Sequence, residues 1–364
     1  MISVATVAWL GLAIGICFGV IGNRSNFCTM GAISDLVNMG SWGRMRQWFL
    51  AIVVAIVGVA ALQGGGMMDT ESTLYTGKRF MYGPYIVGGF LFGVGMTLAS
   101  GCGAKTLIRI GGGNMKAAFV FMVVAIAAYM TLKGLYAVPR LDLLNPLSVD
   151  LSTRQDVPSM LAGALGTSPT TIFNIIALIL AACAAIWLLR NRDELGMTLF
   201  AGIGIGLCVV AGWFVTAYLG YVAEDPDTLQ EAYLGTTGNR PESLSFMAPY
   251  AYFMELLMLW TDSSRIVTFG IAVTMGVVLG SFLYALFSKT FRFETFHDTG
   301  DVLRHVIGGN LMGFGGVVGL GCTIGQGISG VSTLALGSMM TTLALIAGSA
   351  ATLKIQLWWM MRRA

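Results

Sequence analysis

Nine stretches of this 364-residue chain are almost bare of Asp, Glu, Lys and Arg, near residues 4–21, 47–64, 83–99, 116–134, 170–189, 196–222, 266–288, 306–320 and 338–358. A helix crosses the hydrocarbon core of a bilayer with about 20 apolar residues, so each stretch is a candidate span. The chain is 56% hydrophobic and only 11% charged, with a mean hydropathy of +0.77. Soluble domains carry about 25% charged residues, so no water-facing surface can be built from this composition. The expected fold class is all-α: a single polytopic transmembrane domain over residues 1–364 in the lipid bilayer, with about nine transmembrane helices plus re-entrant half-helices. A net charge of +3 spread thinly along the chain excludes a nucleic-acid binder. Residues 1–23 carry no charge, so the first stretch lacks the n-region of a signal peptide and is expected to remain as a span.

Val306 to Leu353 is 48 residues without a charge, too many for one crossing, and Gly319-Leu-Gly-Cys-Thr-Ile-Gly-Gln-Gly327 interrupts it. Irregular backbone at membrane depth survives only where protein or a watery cavity satisfies its N–H and C=O groups, so a re-entrant half-helix is expected there, and likewise after Cys28 and Cys102. Phe246–Trp260, apolar but short and carrying Glu255, reads as interfacial. With the C-terminus inside, 13 of the 21 Lys and Arg, Arg192 among them, fall in inner segments, 7 in outer ones and Lys354 within the last span. That bias predicts the N-terminus outside and the C-terminus cytoplasmic, with Glu224–Glu242, including Asp225 and Asp227, an acidic outer loop.

An internal repeat sharpens the picture. Gly88-Gly-Phe-Leu-Phe-Gly-Val-Gly-Met-Thr-Leu-Ala-Ser-Gly-Cys102 aligns without gaps on Gly308-Gly-Asn-Leu-Met-Gly-Phe-Gly-Gly-Val-Val-Gly-Leu-Gly-Cys322 at an offset of 220, matching at seven positions. A weaker echo joins Ile14-Gly-Ile-Cys17 to Ile205-Gly-Leu-Cys208. The predicted topology runs the two spans in opposite directions, which makes an inverted pseudo-repeat with halves about 1–165 and 166–364. Transporters of this build hold substrate near the midplane, where the repeats meet. Glycines four apart, such as Gly11, Gly15 and Gly19, read as close helix packing.

Few ionisable residues lie inside the spans, so acid/base or hydrolytic chemistry there is not expected, and neither is a cofactor or a metal. His297 and His305 read as part of a solvated inner loop. The six cysteines fit no zinc or CxxC pattern. Cys17, Cys183 and Cys208 lie in apolar span sequence and read as small hydrophobes. Cys28, Cys102 and Cys322 each sit at a helix break, where free N–H groups and the positive end of the next half-helix favour an anion. With Gly101, Gly321 and Thr323 beside them, and Thr106, Gln326 and Asn310 as further polar candidates, they suit a small sulfur-bearing anion held without a buried formal charge. The plainer reading is that cysteine fits where only small residues can.

Three motifs, Asn23-Arg-Ser-Asn-Phe-Cys28, Leu98-Ala-Ser-Gly-Cys102 and Gly319-Leu-Gly-Cys-Thr-Ile-Gly-Gln-Gly-Ile-Ser-Gly330, resemble those of the YeeE/YedE sulfur-transport family, and the resemblance runs from the first span to the last. It implies a bacterial inner-membrane permease, not an enzyme, that takes up thiosulfate through half-helices from both faces. Carried over motif by motif, Cys28, Cys102 and Cys322 would relay the anion by S–H hydrogen bonds. The family also implies a cytoplasmic TusA-like sulfur carrier as partner. A transporter of a related sulfur or selenium anion, a membrane sulfurtransferase forming a cysteine persulfide, with Lys105 or Arg24 near the reactive thiol, and a purely structural subunit are the alternatives.

Overall fold

A computed structural model describes residues 3–190, 195–224, 229–262, 264–296 and 298–363. Arg192, Asp225, Asp227 and His297, on which expectations above rested, lie outside them. The chain is helical almost throughout, because only a helix satisfies its own backbone groups in lipid. In order come α1 (Val4–Arg24), α2 (Thr29–Met39), α3 (Gly43–Gly64), α4 (Tyr82–Leu98), α5 (Gly103–Gly111) and α6 (Met115–Lys133). After a single turn α7 (Ala137–Pro139) follow α8 (Val157–Leu165), α9 (Pro169–Arg190), α10 (Leu195–Phe214), α11 (Met247–Met258), α12 (Phe269–Phe287), α13 (Thr299–Val318) and α14 (Leu336–Arg363). Two two-stranded ladders, Arg79–Phe80 with Val149–Asp150 and Tyr221–Val222 with Ala232–Tyr233, tie loops together.

Among the described residues, eight helical segments are long and apolar enough to cross a membrane, two of them the broken pairs α1–α2 and α4–α5. The ninth expected span is α13. Asp301, Arg304 and His305 in its first two turns lower its apolarity, yet it lies along both α4 and α6. The protein is therefore a multi-pass all-α membrane protein. The peripheral α9 turns Leu178, Ile179, Ile186 and Leu189 outward and buries Ile172, Phe173 and Ala177.

Glycine contacts give the helix directions. Gly11, Gly15 and Gly19 of α1 abut Phe269, Val273 and Val277 of α12, so these helices run parallel at close range. Gly89 and Gly93 of α4 likewise follow Thr341 and Leu345 of α14, and Gly309 and Gly313 of α13 follow Val123 and Ala127 of α6. In contrast, α4 and α13 cross antiparallel, as the repeat predicted. Their contact is reciprocal. A Cβ on Gly88 would lie 2.8 Å from Gly315 O, and one on Gly95 would lie 2.6 Å from Gly308 O. At the offset of 220, Gly315 is the counterpart of Gly95 and Gly308 that of Gly88, so the crossing sits on a pseudo-twofold axis. The obstructing atoms are backbone, which cannot swing aside. Gly95→Val and Gly315→Val should therefore each lower the stability of the detergent-purified protein, by about 1–3 kcal/mol and by similar amounts, read as thermal unfolding midpoints.

Phe246–Trp260 is not interfacial. Phe246 and Met247 are fully buried, and Tyr250 donates its hydroxyl to Gly103 O at 2.7 Å. The far end of α11 meets the end of α6 through Glu255 and Lys133. Thus α11 is a half-helix that starts in the middle of the molecule and runs out to the face where α1 begins, here the N-terminal face. Its length misled because 12 residues suit either role.

Candidate functional site

Each of the three predicted cysteines is placed by one local device. At the end of α4, Ala99 N–H donates to Gly95 O, Ser100 N–H to Thr97 O and Gly101 N–H to Met96 O, with Ser100 left-handed at φ 58°. The end of α13 repeats this bond for bond: Gly319 to Gly315, left-handed Leu320 (φ 58°) to Val317, and Gly321 to Gly316. The end of α1 does the same with Ser25 to Ile21, left-handed Asn26 (φ 51°) to Asn23, and Phe27 to Gly22. This is a Schellman cap, which satisfies the last carbonyls and turns the chain sharply. In all three the cysteine is the second residue after the left-handed one, so it leaves the capped helix and opens the next.

Cys28 and Cys102 are the N-cap residues of α2 and α5. Gly31 N–H donates to Cys28 Sγ at 3.3 Å, and Gly325 N–H to Cys322 Sγ at 3.4 Å, at the start of the wide helical turn Gly325–Gly330. Cys102 accepts no such cap bond. From Cys102, α5 descends to the opposite, C-terminal face, where Asn114 bonds Glu294. From Cys322 the chain rises to the N-terminal face, where Leu334 O accepts from Val157 N–H. Together with α2 and α11, four half-helices enter, two from each face, with their N-terminal ends at the centre. Each such end carries unsatisfied N–H groups and about half a positive charge, so the centre favours an anion with no buried cation required.

The structure brings the three cysteines together. Cys28, Cys102 and Cys322 are 6%, 2% and 0% exposed. The Cys28 and Cys102 thiols face each other, Thr323 adjoins Cys102, and the Phe246 backbone adjoins Cys322. Thr29 and Thr323 are buried with hydroxyls that have no hydrogen-bond partner. A buried hydroxyl without a partner costs roughly 1–3 kcal/mol, so these two retain unused hydrogen-bonding capacity. Gly101 and Gly321 belong to the caps and bring the backbone to the turn.

Other candidates fall away. Thr106 Oγ1 donates to Cys102 O at 3.0 Å within its own helix, and Asn310 Nδ2 donates to Val306 O at 3.1 Å, turned back on α13. Gln326 Nε2 holds the turn by donating to Gly319 O at 2.7 Å, which leaves an acceptor oxygen unsuited to an anion. Ordinary helix and turn bonding thus claims the side chains that composition alone made attractive. His305 is buried on α13, with Nδ1 3.1 Å from Asp301 Oδ1 and away from any cysteine, rather than in a solvated loop. Sequence reasoning missed Thr29 and the central end of α11, where Phe246 takes the place that cysteine holds on the other three half-helices. Phe246 packs on Phe18 at 5.7 Å between ring centroids. The left-handed Asn26 was the available signal for the first cap, since Asn tolerates that conformation.

A family model described as sulphur transport matches residues 24–351. Two relatives are both named thiosulfate transporter TsuA. The Escherichia coli K12 protein is 27% identical over 327 residues, covering 87% of this chain and 86% of its own length. The Spirochaeta thermophila protein is 26% identical over 348 residues, covering 94% of this chain and 96% of its own length. The matched region takes in all three capped cysteines and both copies of the inverted repeat, and the chain belongs to the sulphur-transport family of membrane proteins.

Proposed function

We propose that this chain is a permease that admits thiosulfate across the bacterial inner membrane, with the N-terminal face outside and the C-terminal face in the cytoplasm, as the Lys/Arg bias favours. The observation that carries the reading is the convergence of three buried thiols and two unpartnered hydroxyls on the ends of four half-helices. Thiosulfate is a small dianion with a soft terminal sulfur, and its hydration must be replaced at the centre. Entering from the N-terminal face, it meets Cys322 and Thr323 and then the facing thiols of Cys102 and Cys28. Thiol S–H groups, Thr hydroxyls and half-helix N–H groups donate to it in turn. Each contact is weak enough to release, as conduction through successive sites demands. No covalent bond forms or breaks.

The proposed halves, about 1–165 and 166–364, suit alternating exposure of such a site. The first contributes α1, half-helix α2, α3, α4, half-helix α5 and α6. The second opens with the peripheral α9 and contributes α10, half-helix α11, α12, α13, the half-helix after Cys322 and α14. A cytoplasmic TusA-like carrier would accept sulfur from the delivered anion.

Purified protein in liposomes should take up thiosulfate saturably, with excess unlabelled thiosulfate suppressing uptake and equimolar sulfate leaving it largely intact. Equal suppression by sulfate would remove the role given to the soft sulfur. The Lys105 ammonium beside the Cys28 thiol is the observation behind the second reading, a persulfide-forming sulfurtransferase.

A further inference from the structure

Two cations on α5 lack an acidic partner among the described residues. Lys105 Nζ donates to Asn26 Oδ1 at 3.2 Å, and Arg109 Nη1 donates to Ser100 O at 2.8 Å; both acceptors are neutral. Neither makes a carboxylate ion pair among the described residues, whereas Lys116, Lys133 and Arg44 bind Asp301, Glu255 and Asp35. Lys105 and Arg109 are one helical turn apart and only partly exposed, so they repel each other with limited screening by water. Arg44 adds to the cluster. Its Nε and Nη2 bind Asp35 at 2.5 and 2.6 Å, while its guanidinium lies against the first turn of α2 beside Cys28. Lys105 is within Coulombic reach of Arg44, Arg109 and both thiols. An uncompensated pair such as Lys105 and Arg109, next to an Arg44 already neutralised by Asp35, suits an anion that comes and goes.

The repeat shows that the charge is not demanded by the fold. At the offset of 220, the counterparts of Lys105 and Arg109 are Gly325 and Ser329. Gly325 packs on Ser245, and Ser329 donates to Leu244 O at 2.8 Å, both without charge. Two half-helices built by the same caps therefore differ electrically, neutral above Cys322 and cationic below Cys102.

We propose that Lys105 and Arg109 form a second binding site for a small divalent oxyanion between the central thiols and the C-terminal face. This rests on the transport reading and deepens it. The site draws the anion off Cys102 and Cys28, holds it by charge rather than by soft donors, and gives the two ends of the pathway different affinities. Binding there should weaken with ionic strength, as interactions of partly exposed charges do.

The test titrates detergent-purified protein with thiosulfate, following thermal stabilisation at low and at moderate salt, alongside uptake into liposomes. Lys105→Gln/Arg109→Gln should raise the half-saturating concentration at least tenfold at low salt and flatten its salt dependence, and Lys105→Arg/Arg109→Lys should stay within threefold of the parent chain. Should the double variant fail to fold, Lys105→Gln alone decides, with an expected fivefold rise. A half-saturating concentration within twofold of the parent, with the salt dependence intact, would overturn the site while leaving the permease reading in place. A parent chain that neither binds nor takes up thiosulfate would overturn the transport reading itself.

Discussion

Cys102→Ala should cut thiosulfate uptake into liposomes by at least tenfold and up to about a hundredfold while leaving the protein folded and inserted. Cys102 is buried at the centre, its sulfur accepts no cap bond, and it faces the Cys28 thiol and Thr323, so its S–H is placed to donate to the anion. A hydrogen bond to a charged group contributes about 1.5–3 kcal/mol net, and losing one at a dry centre lowers the rate by the corresponding factor. Folding should be spared, because the alanine keeps the extended backbone of the N-cap position and the Schellman cap before it needs no side chain from residue 102. Cys102→Ser keeps a donor and should retain more uptake than Cys102→Ala. Cys322→Ala should follow the same pattern with a somewhat larger structural cost, since Cys322 Sγ also accepts from Gly325 N–H. The measurement is the initial rate of labelled uptake per correctly folded protein. Rates within twofold of the parent for both alanine variants would remove the thiols from the pathway.

The second large effect is on stability. Glu255 is 4% exposed near the C-terminal end of α11, where the helix dipole already disfavours an anion. Lys133 at 2.7 Å and Arg265 at 3.2 Å compensate it. These partners are half-exposed, so losing Glu255 lets them rehydrate, whereas losing both cations strands a buried carboxylate. Lys133→Met/Arg265→Met should therefore cost about 3 kcal/mol, and adding Glu255→Gln should recover most of it. Thermal unfolding in detergent checks both. A double variant as stable as the parent would show that α11 is held by Met247, Pro249 and Tyr250 alone.

Much of this was legible in the residues, for physical reasons that differ by element. Charge-free stretches of span length are costly outside lipid, so the apolar helices could be counted from sequence, and the glycine ladder with its shared Gly-Cys end fixed the antiparallel crossing of α4 and α13. The helix breaks at Cys102 and Cys322 were visible because Gly101 and Gly321 punctuate them, and the one at Cys28 because Asn26 tolerates a left-handed turn. Three things were hidden. Half-helix α11 is as apolar as an interfacial segment of the same length, and only its contacts with Gly103 and Gly316 reveal its depth. Asn310 and Thr106 looked available until their own helices claimed their side chains. The unpaired state of Lys105 and Arg109 depends on which carboxylates fold near them, and a single chain read in one dimension does not hold that information.

Passage of an intact anion past three thiols is measured most directly by uptake of thiosulfate labelled separately at its outer and inner sulfur into liposomes containing the purified chain, with Cys102→Ala as control. Both labels should accumulate inside in equal amounts as thiosulfate, and both should be lost together in the variant. Outer label retained on a cysteine with the inner sulfur left outside, or equal uptake by the variant, would contradict it.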